Sequence, residues 1–135
     1  MAYATLTGMV ARFGERALTQ LTDRSGSGVI DTDVLARAAD DAAAEVDLYL
    51  GGRYQVPLAP VPVMVERIAC DIAYYRLHGD LLDEHPAVRA YREAVRILGE
   101  LARGDIPLSA TPAGDEAGGG VELAGGPNAG GWRLR

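Results

Sequence analysis

The sequence predicts a mainly α-helical fold: a small four-helix domain with an extended proline-rich connector and a glycine-rich C-terminal arm. Three observations support this prediction. Apolar residues recur at helical spacing in four stretches of the first 108 residues. Three prolines lie close together in the connector, and eight of the 17 glycines lie in the last 27 residues. We therefore divide the chain into a helical connector domain, residues 1–108, and an arm, residues 109–135.

The first two predicted helices are separated by a short glycine-containing loop. The first covers residues 5–21, and either Thr5 or Thr7 is placed to cap its amino end. The second begins at Asp31 or Thr32, has the clearest amphipathic pattern in the chain, and ends at two consecutive glycines. Its apolar face is rich in alanine, which allows close approach of another helix, and consists of Leu35, Ala38, Ala39, Ala42, Val46 and Tyr49.

The connector and the last two predicted helices follow. Residues 53–62, RYQVPLAPVP, cannot be helical because of their prolines, so they form an extended connector. A third helix runs from Pro62 to about His78 and is apolar on two sides. It is either central in the domain or shared with a neighbouring subunit, and both can hold. A fourth helix begins at Pro86 and ends before Gly104.

Composition and charge exclude several classes of protein. The net charge is −6, and all 13 basic residues are arginines without a basic cluster, which argues against tight binding to nucleic acid. Cys70 is the single cysteine, so no intramolecular disulfide can form. The N-terminus lacks the pattern of a signal peptide. No apolar run approaches the roughly 18 to 20 residues of a membrane span. We therefore expect a soluble protein, made inside the cell, with no membrane partner.

Residues 23–34, DRSGSGVIDTDV, have the layout of an EF-hand calcium loop. Oxygen-bearing side chains occupy its first, third, fifth and ninth positions, and glycine occupies the sixth. The twelfth position, where such a loop needs a bidentate glutamate, is Val34, and the third and fifth are serines. The pattern therefore favours a tight turn into the second helix, in which Asp23 and Ser25 bond to nearby backbone. A small calcium-binding interaction module is the alternative function.

No combination of side chains in the sequence indicates catalysis. His78 and His85 are seven residues apart across a turn, with no HExxH or Cys–His pairing. We interpret them as turn and helix-end residues. Cys70 lies within an apolar helix, which favours a buried, unreactive thiol. We therefore expect no enzymatic activity, no cofactor and no bound metal.

Three segments, in a fixed order, resemble a known family. They are the turn LTDR…GVID, the connector RYQVPLAPVP and the helix IACDIAYYRL. Together they are similar to the Mu-type phage family of small virion proteins, which is related to head–tail connectors (adaptor or head-completion proteins). The resemblance covers about residues 1–108.

This resemblance implies a virion structural protein that forms a homo-oligomeric ring, commonly a dodecamer, under the portal protein. Such a ring joins the portal to a tail-side neck or head-completion protein and extends the DNA channel. The implied location is the virion neck, after assembly in the host cytoplasm. DNA passes through the channel without specific binding, and an acidic net charge suits such a channel. The family brings no catalytic residues with it.

The resemblance also implies that terminal arms clip onto portal subunits, which gives the glycine-rich arm a function. The third helix has apolar surface to spare for neighbours, and a ring closed head to tail needs two different patches per subunit. The predicted interface residues are four apolar anchors in the arm and two residues of the third helix: Val121, Leu123, Trp132, Leu134, Tyr74 and Leu77. An interaction subunit of another cellular complex is a further alternative.

Overall fold

The computed structural model describes residues 2–113, which form five α-helices and no β-strand. The helices are α1 (Leu6–Phe13), α2 (Glu15–Thr22), α3 (Thr32–Leu50), α4 (Val63–Leu77) and α5 (Pro86–Arg103). The predicted fold class, mainly α, is confirmed, although the domain has one more helix than the sequence predicts. None of these described helices is long and apolar enough to cross a membrane.

The extra helix arises because Gly14 interrupts the helix predicted for residues 5–21. Gly14 has a φ of 89°, a conformation that L side chains rarely adopt, and its N–H still donates to the carbonyl of Val10 at 2.9 Å. The side chain of Thr5 caps α1 by accepting the N–H of Gly8 at 3.0 Å. Apolar residues keep their helical spacing through the break, so spacing alone does not detect it.

The central element of the domain is α4, which packs against α3 and α5 and also contacts α1. Its buried residues lie on more than one side of the helix and are Val65, Ile68, Ala69, Cys70, Ile72, Ala73 and Leu77. This arrangement agrees with the central position that two apolar sides predict. On α3, the predicted alanine-rich face is buried in the same core except for Tyr49, which is half-buried at the edge of the core.

Side-chain caps set the starts of α3 and α5. The carboxylate of Asp31 accepts the N–H groups of Asp33 and Val34 at 3.0 and 3.3 Å, so Asp31 rather than its neighbour is the cap of α3. At the start of α5, the Nδ1 atom of His85 accepts the N–H of Ala87 at 3.0 Å. Both bonds satisfy backbone donors that the first turn of a helix leaves unpaired.

Tyr3 fastens the proline-rich connector to the N-terminal segment and to α3. Its hydroxyl donates to the carboxylate of Asp47 and accepts the N–H of Leu58 at 2.9 Å. Burial, together with the hydrogen bond to Asp47, raises the pKa of Tyr3 to about 12. Leu58 itself is 3% exposed, so the connector not only links α3 to α4 but also contributes a side chain to the hydrophobic core.

Arg53 fastens the connector to the end of α5. Its guanidinium donates to the carbonyls of Ala102 and Arg103 at 3.2 and 3.1 Å, a favourable place for a cation. Gly104 follows with a φ of 83°, and a Cβ atom there would lie 2.7 Å from the guanidinium carbon of Arg53. Glycine suits this position because of its backbone conformation and because a Cβ atom would displace the guanidinium of Arg53.

The connector also pairs with the first residues of the predicted arm. The backbones of residues 53–55 and 111–113 form an isolated antiparallel bridge with two hydrogen bonds, 2.7 and 2.9 Å long. Leu108 and Ala110 pack against the core. The described structure therefore continues to residue 113, past the predicted domain boundary at residue 108.

Candidate interaction surface

The loop between α2 and α3, residues 23–31, is closed by the carboxylate of Asp23. One carboxylate oxygen accepts the N–H groups of Gly26 and Ser27 at 3.1 and 3.0 Å, and the other accepts that of Gly28 at 2.6 Å. The positive φ values of the two glycines let their N–H groups converge on the carboxylate. These bonds, chiefly the one from Gly28, lower the pKa of Asp23 because they favour its charged form.

This geometry supports the interpretation of the loop as a turn. Both oxygens of Asp23 accept hydrogen bonds from the loop itself, and the carboxylate of Asp31 caps α3. Val34, at the position where an EF-hand carries its glutamate, is buried in the core. Between residues 2 and 113, no group of three or more His, Cys, Asp or Glu side chains is placed to hold a metal ion. The loop directs the chain from α2 into α3.

The two histidines lie at the ends of the helices that flank one turn. The Nδ1 atom of His78, just after α4, lies 2.7 Å from the carbonyl oxygen of Tyr74, and His85 caps α5. Their rings are 5.2 Å apart between centroids. These contacts agree with the predicted turn and helix-end roles. Cys70 is fully buried in α4, and burial raises the pKa of its thiol, which disfavours the reactive thiolate.

Two of the six predicted interface residues lie in the described part of the chain. Leu77 is 5% exposed and belongs to the hydrophobic core, where its side chain packs within the domain itself. Tyr74 is half-buried and stacks on Phe13, with ring centroids 3.8 Å apart. The four arm residues lie outside the described residues and are Val121, Leu123, Trp132 and Leu134. The interface role of all six stays a prediction.

A groove of about 570 Å³ lies between α3 and α4 on the surface of the domain. Its lining combines apolar, aromatic and charged side chains: Asp41, Ala44, Glu45, Leu48, Tyr49 and Arg76. Five of these lie on α3 at spacings of three and four residues, so they share one face of that helix. Leu48 is 81% exposed, more than any other large hydrophobic side chain in the described residues. An exposed leucine beside an aromatic ring is suited to bind another segment of protein.

Hydrogen bonds between helices fix the charged side of this groove. The carboxylate of Glu45 accepts a hydrogen bond from Arg76 of α4 and another from Tyr91 of α5, both 2.7 Å long. Tyr91 stacks on Tyr75, with centroids 4.2 Å apart. Burial, and then the hydrogen bond to Glu45, raises the pKa of Tyr91 to about 12, which keeps its hydroxyl protonated as a donor. The hydrogen bond to Glu45 and, more weakly, the charge of Asp41 raise the pKa of Arg76, although Asp41 forms no salt bridge with a described residue.

Sequence patterns alone do not predict this groove. Glu45 lies 31 residues from Arg76 and 46 residues from Tyr91, so no local spacing relates them. One signal is present in the sequence: Leu48 is apolar, yet it lies off the apolar stripe of its helix. A large apolar residue on the polar face of an amphipathic helix is a candidate contact residue.

Comparison with known proteins identifies relatives from phages. The family described as Bacteriophage Mu, Gp36 matches residues 3–123 of the chain. Gene product J of Escherichia phage Mu is 31% identical over 123 residues, which are 86% of each chain. The Mu-like prophage FluMu protein gp36 of Haemophilus influenzae is 33% identical over 106 residues, which are 78% of this chain and 74% of that protein.

The fold and these matches together define a small, mainly α-helical phage protein. The chain belongs to the bacteriophage Mu Gp36 family. This confirms the resemblance to Mu-type phage proteins, and the match continues beyond residue 108, where the sequence segments that suggest it end. It reaches residue 123 and so includes Val121 and Leu123 of the arm, whereas Trp132 and Leu134 lie beyond it.

Proposed function

We propose that the chain is a virion structural protein, a subunit of the head–tail connector ring of a tailed phage or phage-like particle. The observation that carries this proposal is membership of the Mu Gp36 family, together with a segment order that resembles head–tail connectors. The ring, a homo-oligomer such as a dodecamer, lies in the virion neck. It joins the portal protein to a tail-side neck or head-completion protein, after assembly in the host cytoplasm.

The distribution of exposed apolar side chains supports a role as an assembly subunit. Val63 on α4 and Leu82 in the turn before α5 are both 75% exposed. They lie on two different elements of the domain. A ring closed by head-to-tail contacts needs two different patches on each subunit, and separate apolar positions meet that need.

The charge distribution supports a channel through which DNA passes without specific binding. The net charge is −6. Several arginines in the described residues form ion pairs with carboxylates: Arg76 with Glu45, Arg92 with Asp83, Arg96 with Glu93 and Glu100, and Arg103 with Asp105. Affinity for DNA depends on the number of phosphates that basic groups neutralise. The arginines that already pair with carboxylates contribute less to that number, which suits passage of DNA without specific binding.

Native mass spectrometry of the full chain, alone and mixed with the portal protein of the same particle, tests this proposal. We expect a complex with a single ring stoichiometry when the portal is present. A chain that stays monomeric in the presence of both the portal and the tail-side neck protein contradicts the proposal. Monomers without the portal do not, because connector subunits can assemble on their template.

A deletion of residues 114–135 tests the function of the arm in the same assay. The deletion begins at residue 114 because residues 111–113 are bonded to the connector. We expect unchanged helical circular dichroism and weaker binding to the portal. Loss of the helical signal would show instead that these residues are needed for folding.

A further inference from the structure

The groove between α3 and α4 has features that select its occupant. Leu48 is 81% exposed and, with the half-buried ring of Tyr49, gives an apolar surface. Glu45 forms a salt bridge with Arg76 at 2.7 Å, whereas Asp41 is exposed and forms no salt bridge with a described residue, so two carboxylates face a single arginine in the groove. An apolar surface beside this excess of one negative charge fits a segment that carries an aromatic or aliphatic side chain next to a cation.

Such a segment occurs once in the part of the chain that follows the described residues. Residues 132–135, WRLR, combine one aromatic residue, one aliphatic residue and two arginines. Residues 114–131, by contrast, carry three carboxylates and no basic residue. Tryptophan and arginine are the residue types most enriched at the energetic centres of interfaces. Charge complementarity therefore selects the end of the arm, not its middle.

The chain path allows this segment to reach the groove. The N–H of Ala113 donates to the carbonyl of Arg53 at 2.9 Å, and the N–H of Arg53 donates to the carbonyl of Leu50 at 3.0 Å. Ala113, from which the rest of the arm continues, therefore lies close to the end of α3, the helix that carries Leu48. Residues 114–131 can span at most about 60 Å when extended, far more than the ~12 Å length of the groove along α3.

We propose that residues 132–135 bind the α3–α4 groove of the same chain, with Trp132 on Leu48 and Tyr49 and an arginine at Asp41. Because the segment and the groove belong to one chain, their effective concentration is on the order of millimolar. This exceeds the micromolar concentrations of a purified protein, so binding within one chain is favoured over binding between chains. The groove is thus a receptor for a short aromatic–arginine segment. This inference goes beyond the head–tail connector role and does not depend on it.

Fluorescence of Trp132, the single tryptophan of the chain, tests the proposal in the full-length protein. We expect blue-shifted emission in the wild type and a red shift to the emission of the unfolded chain in Leu48→Ser. The matched control is Leu82→Ser, because Leu82 is 75% exposed and does not line the groove. It should leave the emission unchanged. Circular dichroism should be the same in all three proteins, since both leucines are exposed.

A second pair of variants tests the charge. Asp41→Arg should shift the emission to the red, whereas Asp40→Arg should not, because Asp40 is exposed on the same helix but does not line the groove. Wild-type emission that already equals that of Leu48→Ser overturns the proposal. So does equal emission of the two arginine variants. Emission that shifts to the red on dilution also overturns it, because the occupant is then a second copy.

Discussion

The loop of residues 23–31 and the connector of residues 53–62 each lie between two helices, but different contacts hold them. In the loop, Asp23 bonds only to residues at most five positions away. In the connector, the N–H of Leu58 bonds to Tyr3, 55 residues away, and Arg53 bonds to carbonyls 49 and 50 residues away. A local loop can open without disturbing the core, whereas opening the connector breaks contacts between distant elements.

The largest expected effect is that of removing the core side chain of the connector. Leu58 is 3% exposed, so Leu58→Ala should lower the free energy of unfolding by about 2–5 kcal/mol. The matched control is Val29→Ala in the loop, where the side chain is 61% exposed and the loss should stay within about 0.5 kcal/mol. Urea unfolding followed by circular dichroism measures both. Equal losses of unfolding free energy in the two variants would contradict the distinction between the connector and the loop.

A pair of glycine substitutions sharpens the comparison. Gly104 and Gly26 have φ values of 83° and 80°, so alanine at either position should cost about 1–2 kcal/mol of backbone strain. Only at Gly104 does the new Cβ also meet Arg53, at 2.7 Å. We expect Gly104→Ala to destabilise by about 1 kcal/mol more than Gly26→Ala, because the bonds of Arg53 to the end of α5 are lost. Equal losses of unfolding free energy in the two variants would show that the bonds of Arg53 to the end of α5 do not contribute to stability.

The hydroxyl of Tyr3 gives a third test. Tyr3→Phe leaves the buried N–H of Leu58 without its acceptor and should cost about 1–3 kcal/mol. Tyr49→Phe is the control, because the hydroxyl of Tyr49 has no hydrogen-bond partner among the described residues. The pKa of Tyr3 is raised from 10.0 to about 12, so its contribution is complete below pH 10 and is lost as the pH rises towards 12. Unfolding curves measured at several pH values should show a larger loss in the wild type and in Tyr49→Phe, which keep Tyr3, than in Tyr3→Phe, where only the raised pKa of Tyr91 remains.

The smallest expected effect is that of the loop carboxylate. Asp23→Ala should lower stability slightly at neutral pH, because the loop N–H groups that lose Asp23 are exposed and can bond to water instead. The pKa of Asp23 is lowered from 3.8, so its contribution is present above pH 3.8 and is lost as the pH falls through the lower folded value. The difference between wild type and variant should therefore vanish in acid. Asp40→Ala, at an exposed position in the middle of α3, is the control.

Calcium titration distinguishes the turn from a metal site. Because Asp23 and Asp31 already accept backbone N–H groups, calorimetry should detect no calcium binding tighter than about millimolar. A tighter dissociation constant, abolished in Asp23→Ala, would restore the calcium-binding alternative.

The contrast between local and long-range contacts also explains which features of the structure can be predicted from the sequence. The limits of α5 follow from Pro86 and Gly104, and the turn at Asp23 follows from its glycines, because these signals are local. The break at Gly14 is missed because the apolar spacing continues through it. The contacts of Tyr3 with Leu58 and of Arg53 with α5 join distant parts of the chain, so no spacing rule contains them. The groove at Leu48 depends on α4 lying beside α3 and is missed for the same reason.

The most direct test of the proposed function is to inactivate the gene for this protein in the phage or prophage that carries it, and to examine the lysates by electron microscopy. A head–tail connector is needed to join the two parts of the virion. We therefore predict separate heads and tails, which join again when the wild-type chain is supplied. Complete particles with joined heads and tails in the absence of this protein would contradict the proposal.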